Sequence, residues 1–117
     1  MKLAVVGSRG FIDYAKLDAE LQKIHQQQKI SLSISGGAKG ADSLAEDWAK
    51  KNEVPLQAIL PDWKKYGRGA AVFRNKEIIA GCDMCVAFWD GKSRGTQNSI
   101  NLAKAKGVKV KIVSYDL

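Results

Sequence analysis

Short apolar runs alternate with stretches of helical periodicity along the whole chain, and that alternation constrains the fold more than any single motif. Lys2 to Val6, Ile30 to Ile34, Leu56 to Leu60, Met84 to Trp89 and Val108 to Val113 read as strands. Between them apolar residues recur at spacings of three and four. Tyr14, Leu17, Leu21 and Ile24 mark a helix capped by Asp13 and running to about residue 28, and Leu44, Ala45, Trp48 and Ala49 mark another from Ser43 to Lys51. Ala70 to Ala80 and a stretch reaching Lys106, closed by Gly107, complete the set. Strands joined by helices become parallel neighbours through right-handed crossovers. The expected fold is therefore α/β: one Rossmann-like domain over residues 1–117, an open parallel sheet of about five strands with helices on both faces.

Ligands of such sheets sit beyond the carboxyl ends of the strands. Four loops leave those ends, beginning at Gly7, Gly36, Pro61 and Asp90. In the second, Ser35-Gly36-Gly37-Ala38-Lys39-Gly40-Ala41-Asp42 joins a strand to a helix. The first N–H groups of a helix lack partners within it, and glycines let a phosphate come close to them. The stretch from Pro61 to Gly69, Pro-Asp-Trp-Lys-Lys-Tyr-Gly-Arg-Gly, is expected to be a long surface loop.

With 45% hydrophobic and 26% charged residues, a chain of 117 residues buries a core without staples. No apolar run approaches the length that spans a bilayer, and Met1 to Gly7 lacks the features of a signal peptide. The expectation is a cytoplasmic protein with no membrane partner. A formal charge of +7 favours an anionic partner. Many lysines fall where helices face solvent, so the pointed cations are Arg9, Lys39, Arg68, Arg74, Lys92 and Arg94, in or beside the four loops. Cys82 and Cys85 have C-x-x-C spacing, but they run from a helix end into a strand, where residues three apart cannot reach each other for a disulfide. One histidine and no second cysteine pair leave no metal set, so both cysteines are expected to face the core.

Gly7-Ser8-Arg9 after the first strand, Ser35-Gly36-Gly37-Ala38-x-Gly40-Ala41-Asp42 after the second, Arg74-Asn75 on the helix that follows, and Phe88-Trp89-Asp90-Gly91-x-Ser93-x-Gly95-Thr96 after the fourth resemble the SLOG superfamily of Rossmann-like domains, in its YspA-like branch. Two related groups bear on function. The lonely-guy phosphoribohydrolases cleave nucleotide 5′-monophosphates and carry P-G-G-x-G-T-x-x-E in the fourth loop. Here Gly95 and Thr96 match, Ser99 stands at the glutamate position, and Arg74 matches the substrate-facing arginine. The DNA-processing protein family, which binds single-stranded DNA, is similar in Gly7-Ser8-Arg9, in the second loop and in Phe73-Arg74-Asn75-x-x-Ile78-Ile79-Ala80-Gly81.

The resemblance implies a nucleotide or nucleotide-derived small molecule at the carboxyl edge, with the protein as sensor, carrier or enzyme. The alternatives are single-stranded nucleic-acid binding and phosphoribohydrolase activity with a displaced acid, Asp42 or Asp90. The ligand-binding candidates are Gly7, Ser8, Arg9, Gly36, Gly37, Lys39, Gly40, Asp42, Arg74, Asn75, Gly95 and Thr96. Arginines suit bidentate phosphate contacts and Lys39 a point charge. Ser8, Gly37, Gly95 and Thr96 would donate hydroxyl or backbone N–H groups. Asp42 reads first as a residue favoured by the helix dipole and second as a ribose or water contact. Trp89 reads as core, and Trp63 and Tyr66 as candidate base-stacking faces. No resident cofactor is implied, no catalytic residue is assigned, and a homo-oligomer through surface helices stays open.

Overall fold

The computed structural model describes residues 1–115. It has five strands, β1 Lys2–Gly7, β2 Leu32–Ser35, β3 Leu56–Ala58, β4 Met84–Trp89 and β5 Lys109–Ser114, in one sheet of order β3-β2-β1-β4-β5. All neighbouring pairs are parallel, and Ala4 of β1 lies opposite Ile34 of β2 and Cys85 of β4. The helices are α1 Tyr14–Gln27, α2 Ala41–Lys51, α3 Trp63–Tyr66, α4 Ala70–Ala80 and α5 Arg94–Lys106. The α/β Rossmann-like expectation is met.

The two-residue period of the central strands divides the core. Leu3, Val5, Val86 and Phe88 face α1 and α2, where Leu17, Leu21, Ala45 and Trp48 pack on them. Ala4, Val6, Cys85 and Ala87 face α4 and α5, meeting Ile78, Ile79, Ile100 and Ala103. Trp48 is fully buried, and its indole N–H donates to Asp18 Oδ1 at 3.0 Å, so the largest core side chain leaves no unpaired donor. The cysteines lie in the second half of the core as free thiols, and burial pushes Cys85 up to about 12.

Helix ends follow the sequence closely. Asp13 accepts from the Lys16 N–H at 3.0 Å and starts α1, and Gly107 ends α5 at φ 79°. The stretch 61–69 differs from the expected open loop. Asp62 accepts from the Lys65 N–H at 3.1 Å, capping α3, and a 3₁₀ turn follows over Gly67–Gly69. The Tyr66 ring stacks on Phe73 of α4 with centroids 4.0 Å apart, which anchors this short helix. The third strand is also shorter than the apolar run 56–60, because β3 is a solvent-exposed edge and pairing stops once Ile59 N–H has reached Ser35 O at 2.8 Å. Among the described residues no helix is long and apolar enough to cross a membrane.

Candidate functional site

From β1 the chain builds outward through β2 to β3, then crosses back to β4 and on to β5. The connections after β1 and β4 therefore leave in opposite directions, and a crevice opens between two adjacent carboxyl ends. A cleft of about 460 Å³ occupies it. Of the residues singled out in the sequence, Gly7, Ser8, Arg9, Asp42, Arg74, Asn75, Gly95 and Thr96 line this cleft. Gly36, Gly37, Lys39 and Gly40 are not among its lining residues, although their neighbour Ala38 is.

Protein atoms occupy the space beside all three of those glycines, and at Gly37, with φ 71°, a Cβ would run into the Leu60 side chain. At Gly36 a Cβ would come within 2.5 Å of an Arg74 guanidinium nitrogen and 2.9 Å of Asp42 Oδ2. Gly40 has φ 80°, and a Cβ there would stand 2.5 Å from the carbonyl oxygens of both Ser8 and Arg9. The second loop thus packs directly on the first, and its lack of side chains permits that approach. Asp42, one residue into α2, ties the loop from below by accepting at Oδ2 from the Gly36 and Ala38 N–H groups, both at 3.2 Å.

Arg74 reaches the cleft from α4. Its Nη1 donates to Gly36 O at 2.6 Å and its Nε to Asn75 Oδ1 at 3.0 Å, which fixes the guanidinium plane. Asn75 is braced in turn, donating from Nδ2 to Asn98 Oδ1 at 3.1 Å. Asn98 is a bracing residue with no local sequence signal, because only the packing of α4 on α5 brings it within reach.

Two arginines and two aspartates line the cleft, Arg9, Arg74, Asp42 and Asp90. Burial lowers the pKa of Arg74, Asp42 opposes that shift, and the charge of Arg9 adds to it. Two guanidinium groups thus repel each other at one cleft, and neither forms an ion pair among the described residues. Asp42 is 7% exposed, and burial raises its pKa from 3.8 to about 6, against the Ala38 and Gly36 hydrogen bonds and the Arg74 charge, with Glu46 adding to the rise. At neutral pH the Asp42 carboxyl is ionised and its charge acts on Arg74, although the two groups form no ion pair.

The opposite wall is the head of α5. Asp90 accepts from the Lys92 and Ser93 N–H groups at 2.8 Å each, and these bonds, Ser93 first, hold its carboxyl below the usual range. Trp89 donates its indole N–H to Ser93 O at 3.0 Å, so this aromatic supports the turn. Ser93 caps the helix, accepting from the Thr96 N–H at 3.4 Å and lying 3.1 Å from the Thr96 hydroxyl. Gly95 and Thr96 consequently occupy the first helical turn, where backbone N–H groups lack intrahelical partners. Ser93, the cap, is a lining residue that the sequence placed in the fourth-loop motif but not among the ligand-binding candidates. Ser8 is 4% exposed, and its Oγ, which makes no hydrogen bond of good geometry, lies close enough to the Asp90 carboxyl to help hold that group's pKa down. Ser99 also lines the cleft, but its hydroxyl folds back to donate to Gly95 O at 3.3 Å.

Fold and site together define a Rossmann-like domain with a polar cleft, lined by arginines and aspartates, at the topological switch point of its sheet. The chain belongs to the YspA, cpYpsA-related SLOG family, whose model matches residues 1–66. It is 33% identical over 116 residues to the Gene 61 protein of Mycobacterium phage D29, an alignment covering 93% of each chain. Its fold is similar to that of DNA processing protein A from Streptococcus pneumoniae, with a TM-score of 0.72 and 21% identity. That similarity covers 99% of this chain and 51% of the other, so this chain spans about half the length of that protein.

Proposed function

We propose that the cleft binds a nucleotide or nucleotide-derived small molecule, with its phosphate between Arg9, Arg74 and the first turn of α5. Membership of the SLOG family and a fold shared with a DNA-processing protein support a role connected with nucleotides or nucleic acids. The observation that carries the finer reading is the pair of unpaired guanidinium groups at one cleft. Holding two like charges together is unfavourable unless an anion comes between them, and the Arg74 guanidinium is fixed through Nε and Nη1, which leaves Nη2 to meet that anion. The Ser8 hydroxyl lines the cleft as a further donor, and the α5 dipole adds partial positive charge. Gly7, Asn75, Gly95 and Thr96 would shape the contact. Gly36, Gly37 and Gly40 would act by holding the loops together, and Lys39 as an outer point charge.

The test is a thermal-shift screen with AMP, ADP-ribose, NAD and cyclic nucleotides. A ligand at 100 times its Kd adds about 2.7 kcal/mol, which raises the Tm of a domain this size by about 10 °C. Arg74→Ala should abolish that shift, and Arg74→Lys should restore only part of it, because an ammonium cannot donate to Gly36 O and Asn75 Oδ1 and face the ligand at once. No shift with any member of the panel refutes the reading. Release of free adenine from AMP would identify the protein as a phosphoribohydrolase, with Asp42 and Asp90 as the carboxylates lining the cleft.

A further inference from the structure

We propose that the surface built by Trp63, Lys64, Lys65, Arg68, Phe73 and Lys76, none of which lines the cleft beside it, binds single-stranded nucleic acid. The proposal does not depend on what the cleft holds. Two aromatic side chains are open to solvent here, Trp63 at 55% and Phe73 at 37% exposure. Phe73 is held flat by its stack on Tyr66, at an interplanar angle of 20°, and the Lys65 ammonium stands 5.2 Å from the Tyr66 ring centre. The rings are therefore supported faces with a cation beside them. Lys64, Lys65, Arg68 and Lys76 are all exposed on the same segment, and none forms an ion pair among the described residues.

Aromatic faces interleaved with unpaired cations suit a strand whose bases are free to stack and whose phosphates run alongside. A duplex hides its base faces within its own stack and offers only phosphates to such a surface. A second copy of this chain is a poor occupant, because a two-fold contact would set the four cations against themselves. A Cβ placed on Gly67 or Gly69 would meet nothing within 4 Å, so the backbone between Tyr66 and α4 is open to an approaching strand.

The experiment is fluorescence anisotropy of a labelled 20-mer of thymidine against the whole chain from 50 to 200 mM salt, with a duplex of equal length alongside. Four neutralised phosphates give a slope of log affinity against log salt of about −3, or about a fiftyfold loss over that range. Trp63→Ala and Phe73→Ala should each weaken binding by about fivefold to a hundredfold. Lys64→Ala with Lys65→Ala should flatten the slope by about 1.4. All these positions are on the surface, and circular dichroism verifies that the variants fold. Arg74→Ala should keep most of the affinity. Binding lost in Arg74→Ala and unchanged in the strip variants would place the strand in the cleft and overturn the proposal. So would a duplex bound as tightly as the single strand, or polyglutamate competing as well as the oligonucleotide does.

Discussion

Asp42→Asn should stabilise this protein at neutral pH, although it replaces a buried residue that accepts two hydrogen bonds. The carboxyl has a pKa of about 6 in the folded chain against 3.8 in the unfolded one. For an acid with a raised folded pKa, the folded state holds the proton more tightly. Its contribution is therefore fully present below pH 3.8 and is lost as pH rises to about 6. At about 1.4 kcal/mol for each tenfold change in ionisation constant, the ionised form costs about 3 kcal/mol above pH 7. Asparagine stands in for the protonated acid, keeping an acceptor for the Gly36 and Ala38 N–H groups without the charge. Urea denaturation at pH 5 and pH 8 isolates the effect. The gap between variant and wild type should be about half as large at pH 5 as at pH 8, widening by about 1.4 kcal/mol. The carboxyls of Glu20 and Asp90, which shift the other way, cancel because both proteins carry them. A variant less stable than wild type at pH 8, or a gap independent of pH, would show that burial does not dominate this carboxyl.

Gly40→Ala combines a left-handed φ of 80° with a Cβ driven onto the Ser8 and Arg9 carbonyls, and should cost about 2–4 kcal/mol in urea melts. A loss below about 1 kcal/mol would mean that the first two loops are not packed as described. Cys82 and Cys85 are buried, and burial raises the pKa of both thiols, Cys85 to about 12. Native protein at pH 8 should therefore react with a disulfide reagent only as fast as it unfolds, and rapid labelling of two thiols before denaturant is added would contradict this.

The arginine pair and the glycine stretch divide the work of the site in a way that residue types do not announce. A strand, a glycine turn and a helix in succession suggest a cradle for phosphate, yet Gly36 and Gly40 press against Arg74 and the Ser8–Arg9 backbone. Their lack of side chains lets two loops and an arginine converge, and the surface they leave to solvent belongs to Arg9, Arg74, Ser8 and the head of α5.

Taken by itself, the chain determined the order and type of its elements, because periodicity and capping are local. The alternation of apolar runs implies a parallel sheet, and Asp13 and Gly107 mark helix ends through hydrogen bonds and dihedral angles spanning a few residues. It also determined that the loops after β1, β2 and β4 would gather on one edge, since every strand of a parallel sheet ends there. Tertiary structure decided everything that depends on distance between remote residues. The strand order put the crevice between β1 and β4, the packing of α4 on α5 joined Asn75 to Asn98, and burial beneath the second loop raised the pKa of Asp42. It also turned the stretch 61–69 into a capped helix and a 3₁₀ turn, because Tyr66 found Phe73 to stack on. Desolvation and pair contacts are sums over neighbours brought in from far along the chain, and only the folded arrangement supplies those neighbours.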